Sequence, residues 1–187
     1  MTLVVTPSQT VGPFVHLGFD PMTVADIAGD APGGRIVVSG RVLDGAGAPI
    51  PDAVLELWQA DGDGRYRHPE DRAADVDAPG FLGFGRVPTD ADGRFRFTTL
   101  MPGAVQGPGN TLQAPHIVVC LFMRGLLRHL FTRIYFEGEA ANATDPILGL
   151  VEDAARRDTL VARRQADGGY RWDVVMQGER ETVFFDI

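Results

Sequence analysis

Apolar and polar residues alternate with a period of two through most of the chain, interrupted at short intervals by glycine, proline or aspartate. Such alternation reads as strands with one buried face. Arg94-Phe95-Arg96-Phe97-Thr98 shows it most clearly; it follows Asp90-Ala91-Asp92-Gly93, whose composition predicts a hairpin turn. Ala53, Leu55 and Leu57 share one face of residues 53–59. Residues 36–38 and 41–43 read as one strand with Gly40 as a bulge. Further strands are predicted at 84–89, 128–136, 170–176 and 182–185. Residues 114–123 break the alternation: the run is almost wholly apolar, bounded by Pro115 and Gly125, and reads as a strand buried on both faces. Long loops cover 65–80 and 101–114. Helical signals are few. Asp145-Pro146 predicts a short helix with Asp145 as N-cap and Pro146 in the first position, and residues 158–164 predict one more helical turn. The fold expected is an all-β sandwich with long loops and one or two short helices.

Residues 1–34 differ. Pro7, Pro13, Pro21 and Pro32, with Gly12, Gly18, Gly29, Gly33 and Gly34, suggest an irregular arm, yet Val11, Phe14, Val15, Leu17 and Phe19 are too apolar for a solvated tail. The expectation is an N-terminal arm over 1–34, packing on its own domain or on a partner subunit, and a sandwich domain over 35–187.

The bulk numbers narrow the partners. A chain of 187 residues, 44% hydrophobic and 22% charged, suits one ordinary globular domain. Its net charge of -8 argues against nucleic acid and anionic membranes. The single cysteine, Cys120, forms no disulfide within the chain and is expected as a buried structural thiol in a reducing compartment. No basic segment leads an apolar one at the N-terminus, and no apolar run nears the ~20 residues of a membrane span. A cytoplasmic location is the expectation.

The candidate chemistry lies in four histidines (His16, His68, His116, His129) and three tyrosines (Tyr66, Tyr135, Tyr170). Two tyrosinates and two imidazoles make a sound nonhaem ferric site, because hard phenolate oxygens favour the trivalent ion. A His-X-His pair at the start of a strand would put both imidazoles on one face. His116 stands there, but two residues on is Val118. Trp58 and Trp172 are expected in the core. His16, His68 and His129 are expected in structural or surface roles.

Ordered segments resemble the intradiol ring-cleaving dioxygenases over nearly the whole chain. They are Gly40-Arg41-Val42-Leu43-Asp44, Leu55-Glu56-Leu57-Trp58-Gln59-Ala60, Gly64-Arg65-Tyr66-Arg67-His68, Pro102-Gly103, Ala114-Pro115-His116-Ile117 and Arg133-Ile134-Tyr135-Phe136. Thr6-Pro7-Ser8-Gln9-Thr10-Val11-Gly12-Pro13-Phe14 and the closing Gly178-Glu179-Arg180-Glu181-Thr182-Val183-Phe184-Phe185-Asp186 agree with it. The resemblance implies an Fe(III) site of two tyrosines and two histidines, of which this chain keeps Tyr66 and His116. The other two positions fall on Val105 and Val118, and a family arginine falls on Gln113.

Two valines donate no electron pair. The resemblance therefore implies a chain with no metal of its own: the α partner in a two-chain member of the family, whose homologous β chain holds the Fe(III). The assembled enzyme would cleave protocatechuate with O2. Thr10, Pro13, Phe14 and Arg133 would line the β chain's substrate pocket. Tyr66, Val105, His116 and Val118 would be vestigial ligand positions. Two alternatives stand beside this reading: a self-sufficient dioxygenase for catechol or hydroxyquinol, and a noncatalytic β-sandwich binding module.

Overall fold

The computed structural model describes residues 5–12, 14–71 and 80–186, with the side chains of Phe14 and His16 outside the description. Eleven strands and two short α-helices lie among them. The strands are β1 (Arg35–Leu43), β2 (Val54–Trp58), β3 (Phe84–Pro88), β4 (Arg94–Leu100), β5 (Val105–Gln106), β6 (Leu112–Gln113), β7 (His116–Phe122), β8 (Leu130–Phe136), β9 (Val161–Arg164), β10 (Tyr170–Arg171) and β11 (Val174–Val175). The helices are α1 (Phe14–Phe19) and α2 (Ala154–Asp158).

The strands form the two leaves of a β-sandwich. One leaf runs β3-β2-β7-β8 by antiparallel pairing. The other pairs β4 with β1, and β1 in parallel with β10 and β11. β9 joins the leaves, parallel to β8 and antiparallel to β10. The core fills the space between: Val38, Val42, Phe95 and Phe97 from one leaf meet Leu55, Leu57, Ile117, Val119, Leu121, Ile134 and Phe136 from the other. The alternating sequence explains this, since each strand presents its apolar set to one side.

Four expectations need correction. The turn at 90–93 closes no hairpin. It carries the chain from β3 in one leaf to β4 in the other, because β4 pairs along the length of β1. Gly40 is no bulge: it stays in register opposite Phe95, and its missing side chain admits the Trp172 carbonyl, which a Cβ would approach to 1.6 Å. Of residues 158–164, Asp158 ends α2 and Val161–Arg164 form strand β9 rather than helix, because Ala162 is buried and pairs with Phe136. Residues 182–185 make a single bridge, Phe185 to Phe131, in place of a strand.

β7 is buried on one face and half-covered on the other. Ile117, Val119 and Leu121 are fully buried, whereas Val118, Cys120 and Phe122 are intermediate. The two-sided burial expected of this run therefore holds only at its His116 end, where a second cluster of Ala114, Tyr135, Leu148 and Leu160 covers the outer face. Residues 24–27 are stitched across both leaves, Val24 bridging Arg86 and Asp26 bridging Thr98. No helix is long and apolar enough to cross a membrane among the described residues.

Candidate functional site

The strand register assembles the site on the outer face of the β3-β2-β7-β8 leaf, opposite the core. Phe84, Trp58, Val118 and Arg133 form one row across the four strands. His116 and Tyr135 form the neighbouring row on the same face. Period-two geometry thus puts His116, Val118, Arg133 and Tyr135 side by side, although 15 residues part Val118 from Arg133 (133 minus 118).

Two loops complete the cluster. Asp61 caps the turn at 61–64, its Oδ1 accepting the amides of Asp63 and Arg65 at 2.9 Å. Gly64 and Gly103 then bring the two loops into backbone contact: a Cβ on Gly103 would lie 2.4 Å from the Gly64 nitrogen. The Gly103 amide donates to the Asp61 carbonyl at 2.7 Å. This contact sets Tyr66 beside the loop that carries Val105. The Tyr66 ring stacks on Trp58, 5.9 Å between centroids and 4° from parallel. Val105 pairs with Gln113 across β5-β6, and the Gln113 Oε1 accepts from Arg133 Nη1 at 2.7 Å. Val118 thus stands opposite Arg133, the Arg133 charge acts on Tyr66 and His116, and Val105 pairs with the Gln113 that Arg133 binds.

The electrostatics follow from burial and from that guanidinium. His116 Nδ1 lies 2.8 Å from the Ala114 carbonyl oxygen. Burial first, and the Arg133 charge second, hold its pKa down at about 4, so the ring is neutral at pH 7. Burial raises the Tyr66 phenol above its ordinary value, against the opposite pull of Arg133. Behind them Asp145 is buried and accepts from the Ala114, Ile147 and Leu148 amides and from the Tyr135 hydroxyl, at 2.7, 2.9, 2.7 and 3.0 Å. The sequence marks Asp145 as a helix cap. It instead accepts the amides that open a 3-10 turn at Leu148–Leu150, whose N-cap is Ile147, and ties that turn to the entry of β7 and to β8. Asp153 caps α2. Burial also raises the Tyr135 phenol well above its ordinary value.

Thr10 lies apart from this cluster. It is exposed, and its Oγ1 accepts from the Gly125 amide at 2.8 Å, fastening the arm to the β7-β8 turn. Pro13 and the Phe14 side chain lie outside the described residues.

Comparison with known proteins places this arrangement. Residues 13–178 match the Dioxygenase_C family, described as dioxygenase. The chain belongs to this dioxygenase family. It is 46% identical to the protocatechuate 3,4-dioxygenase alpha chain of Burkholderia cepacia, covering 100% of this chain and 99% of the relative. It is 44% identical to the alpha chain of Pseudomonas putida, over 97% and 96%. The beta chain of Burkholderia cepacia is 39% identical over 94% of this chain and 77% of its own length. Among solved structures, the dioxygenase domain of a carbohydrate-binding fusion from Streptomyces sp. SirexAA-E superposes with a TM-score of 0.60 at 31% identity, over 95% of this chain and 99% of that one. A hydroxyquinol 1,2-dioxygenase from Pseudomonas putida DLL-E4 shares the fold with a TM-score of 0.64 at 20% identity, over 94% and 63%.

The intradiol dioxygenases are iron-dependent. This chain's residues do not fit an iron. Tyr66 and His116 offer two donors, while Val105 and Val118 offer none. Among the described residues no group of three or more His, Cys, Asp or Glu could hold a metal ion. The Arg133 charge acts on both remaining donors, which disfavours a second cation between them. Sequence reasoning missed Asp145, Gln113 and Trp58 as parts of the site. A carboxylate flanked by apolar residues was the signal for Asp145; Trp58 needed the strand register.

Proposed function

We propose that this chain is the α, non-iron-binding subunit of a protocatechuate 3,4-dioxygenase, working in the cytoplasm with a homologous β subunit that holds the Fe(III). The observation that carries the reading is the halved ligand set: the fold and the loops that would present four ligands are intact, and two of the four are valine. Relatives named as alpha and beta chains, each covered over most of its length, support a two-chain assembly. The assembled enzyme inserts both atoms of O2 into protocatechuate, giving 3-carboxy-cis,cis-muconate.

This chain's part is to shape the pocket. Thr10, Pro13 and Phe14 form a wall of the β subunit's substrate site. The Thr10 anchor on Gly125 supports this by fixing where the arm leaves the domain. The test is to express this chain with and without its partner gene and measure iron content and oxygen uptake with protocatechuate. Iron and ring cleavage are expected only in the two-chain preparation. A single chain that is iron-loaded and active overturns the reading.

A further inference from the structure

The outer-face cluster holds three polar ends with no matching group. Arg133 is half-buried, yet among the described residues no carboxylate lies within ion-pair distance of it. Its hydrogen bonds go to neutral oxygens, Gln113 Oε1 at 2.7 Å and Tyr135 Oη at 3.4 Å. The Tyr66 hydroxyl and the His116 Nε2 have no hydrogen-bond partner among the described residues, and neither is sealed from solvent. A covered guanidinium without an anion is an expensive arrangement, and proteins keep such charges where a ligand supplies the counter-charge. Arg133 has a planar fork suited to a carboxylate, while a phenol and an imidazole beside it suit a hydroxyl. Val118 lies between Trp58 and Arg133 in the row and is only partly covered, so the face is open at that point.

We infer that Tyr66, His116 and Arg133 of this chain form a receptor for a hydroxylated aromatic carboxylate, separate from any site on a partner chain. The carboxylate pairs with Arg133, and the ring hydroxyl meets the Tyr66 hydroxyl and His116 Nε2. Binding there needs no metal, because the charge comes from the guanidinium. The inference rests on this chain's own side chains and not on the proposed assembly.

The test is equilibrium dialysis of saturating 4-hydroxybenzoate against the assembled two-chain protein, with thermal melting as the control for folding. Two equivalents per pair of chains are expected, one at the partner's site and one here. His116→Asn and Tyr66→Phe are each expected to lose one equivalent, with melting kept. Two variants are used so that one misfolded protein does not decide the outcome. One equivalent in the unaltered protein overturns the inference, as do two equivalents that persist in both variants. If the chain purifies without a partner, the proposed assembly fails, and the expectation becomes one equivalent on the single chain; zero then overturns the inference by itself.

Discussion

The two faces of the β7-β8 pair obey different rules. The inner face is one kind of surface: Ile117, Val119, Leu121, Ile134 and Phe136 are fully buried and interchangeable in chemistry, constrained by volume. The outer face carries His116, Val118, Cys120, Arg133 and Tyr135, and several of its polar atoms at the His116 end, His116 Nδ1, Arg133 Nη1 and the Tyr135 hydroxyl, meet a particular partner. The same backbone serves both. An apolar residue on the outer side, such as Val118, therefore changes what the chain can bind without disturbing the sandwich. Fold and chemistry are separable here because side chains alternate while the ladder stays the same.

The comparison breaks hardest at Asp145, a polar residue expected to matter as much as the core. Asp145→Ala leaves three amides and the Tyr135 hydroxyl without their acceptor, a loss of about 4 kcal/mol after relaxation. Urea unfolding measures it; a change under about 1 kcal/mol means that the outer network is decoration.

The two faces of β7 can then be set against each other directly. Ile117→Ala opens a cavity in the sealed core and should cost about 3 kcal/mol, whereas Val118→Ala, half-covered, should cost less than about 1 kcal/mol. Equal losses in the same denaturation experiment would show that the outer face is packed as tightly as the inner.

His116 predicts a dependence on pH. Its pKa is lowered in the folded chain from 6.5 to about 4, so the unfolded chain takes up a proton first as pH falls. The stability contribution is whole above pH 6.5, falls between pH 6.5 and 4, and amounts to on the order of 3 kcal/mol. His116→Gln should flatten that part of the stability curve. An unchanged slope would place the pH response on another group.

The smallest effect concerns Cys120. Half-burial first and the Glu56 charge second raise its thiol from 9.0 to about 11. The thiolate fraction near pH 8 drops about 100-fold, and alkylation by iodoacetamide should slow by that factor against the denatured chain. Comparable rates in the two states would mean that the outer face opens readily at Cys120.

Much of the fold was readable in order. The alternation at 53–59 and 94–98 gives β2 and β4 because each buries one side only, and Tyr66, His116 and the two valines are visible as positions in a pattern. The misreadings share a cause. At 90–93 the turn chemistry was sound, but a local turn does not say which leaf receives the next strand. At 161–164 helix-favouring residues yielded to Tyr135, Phe136 and Tyr170, which offered the segment ladder partners on both sides.

By itself, then, the sequence determined the sandwich class and the family, since these depend on residue type and on periods within one segment. Only the tertiary structure decided that Arg133 stands opposite Val118 among Tyr66, His116 and Gln113, and that Asp145 braces the strands behind them. Those facts depend on register between strands and on the Gly64–Gly103 loop contact, which arise when distant segments pair.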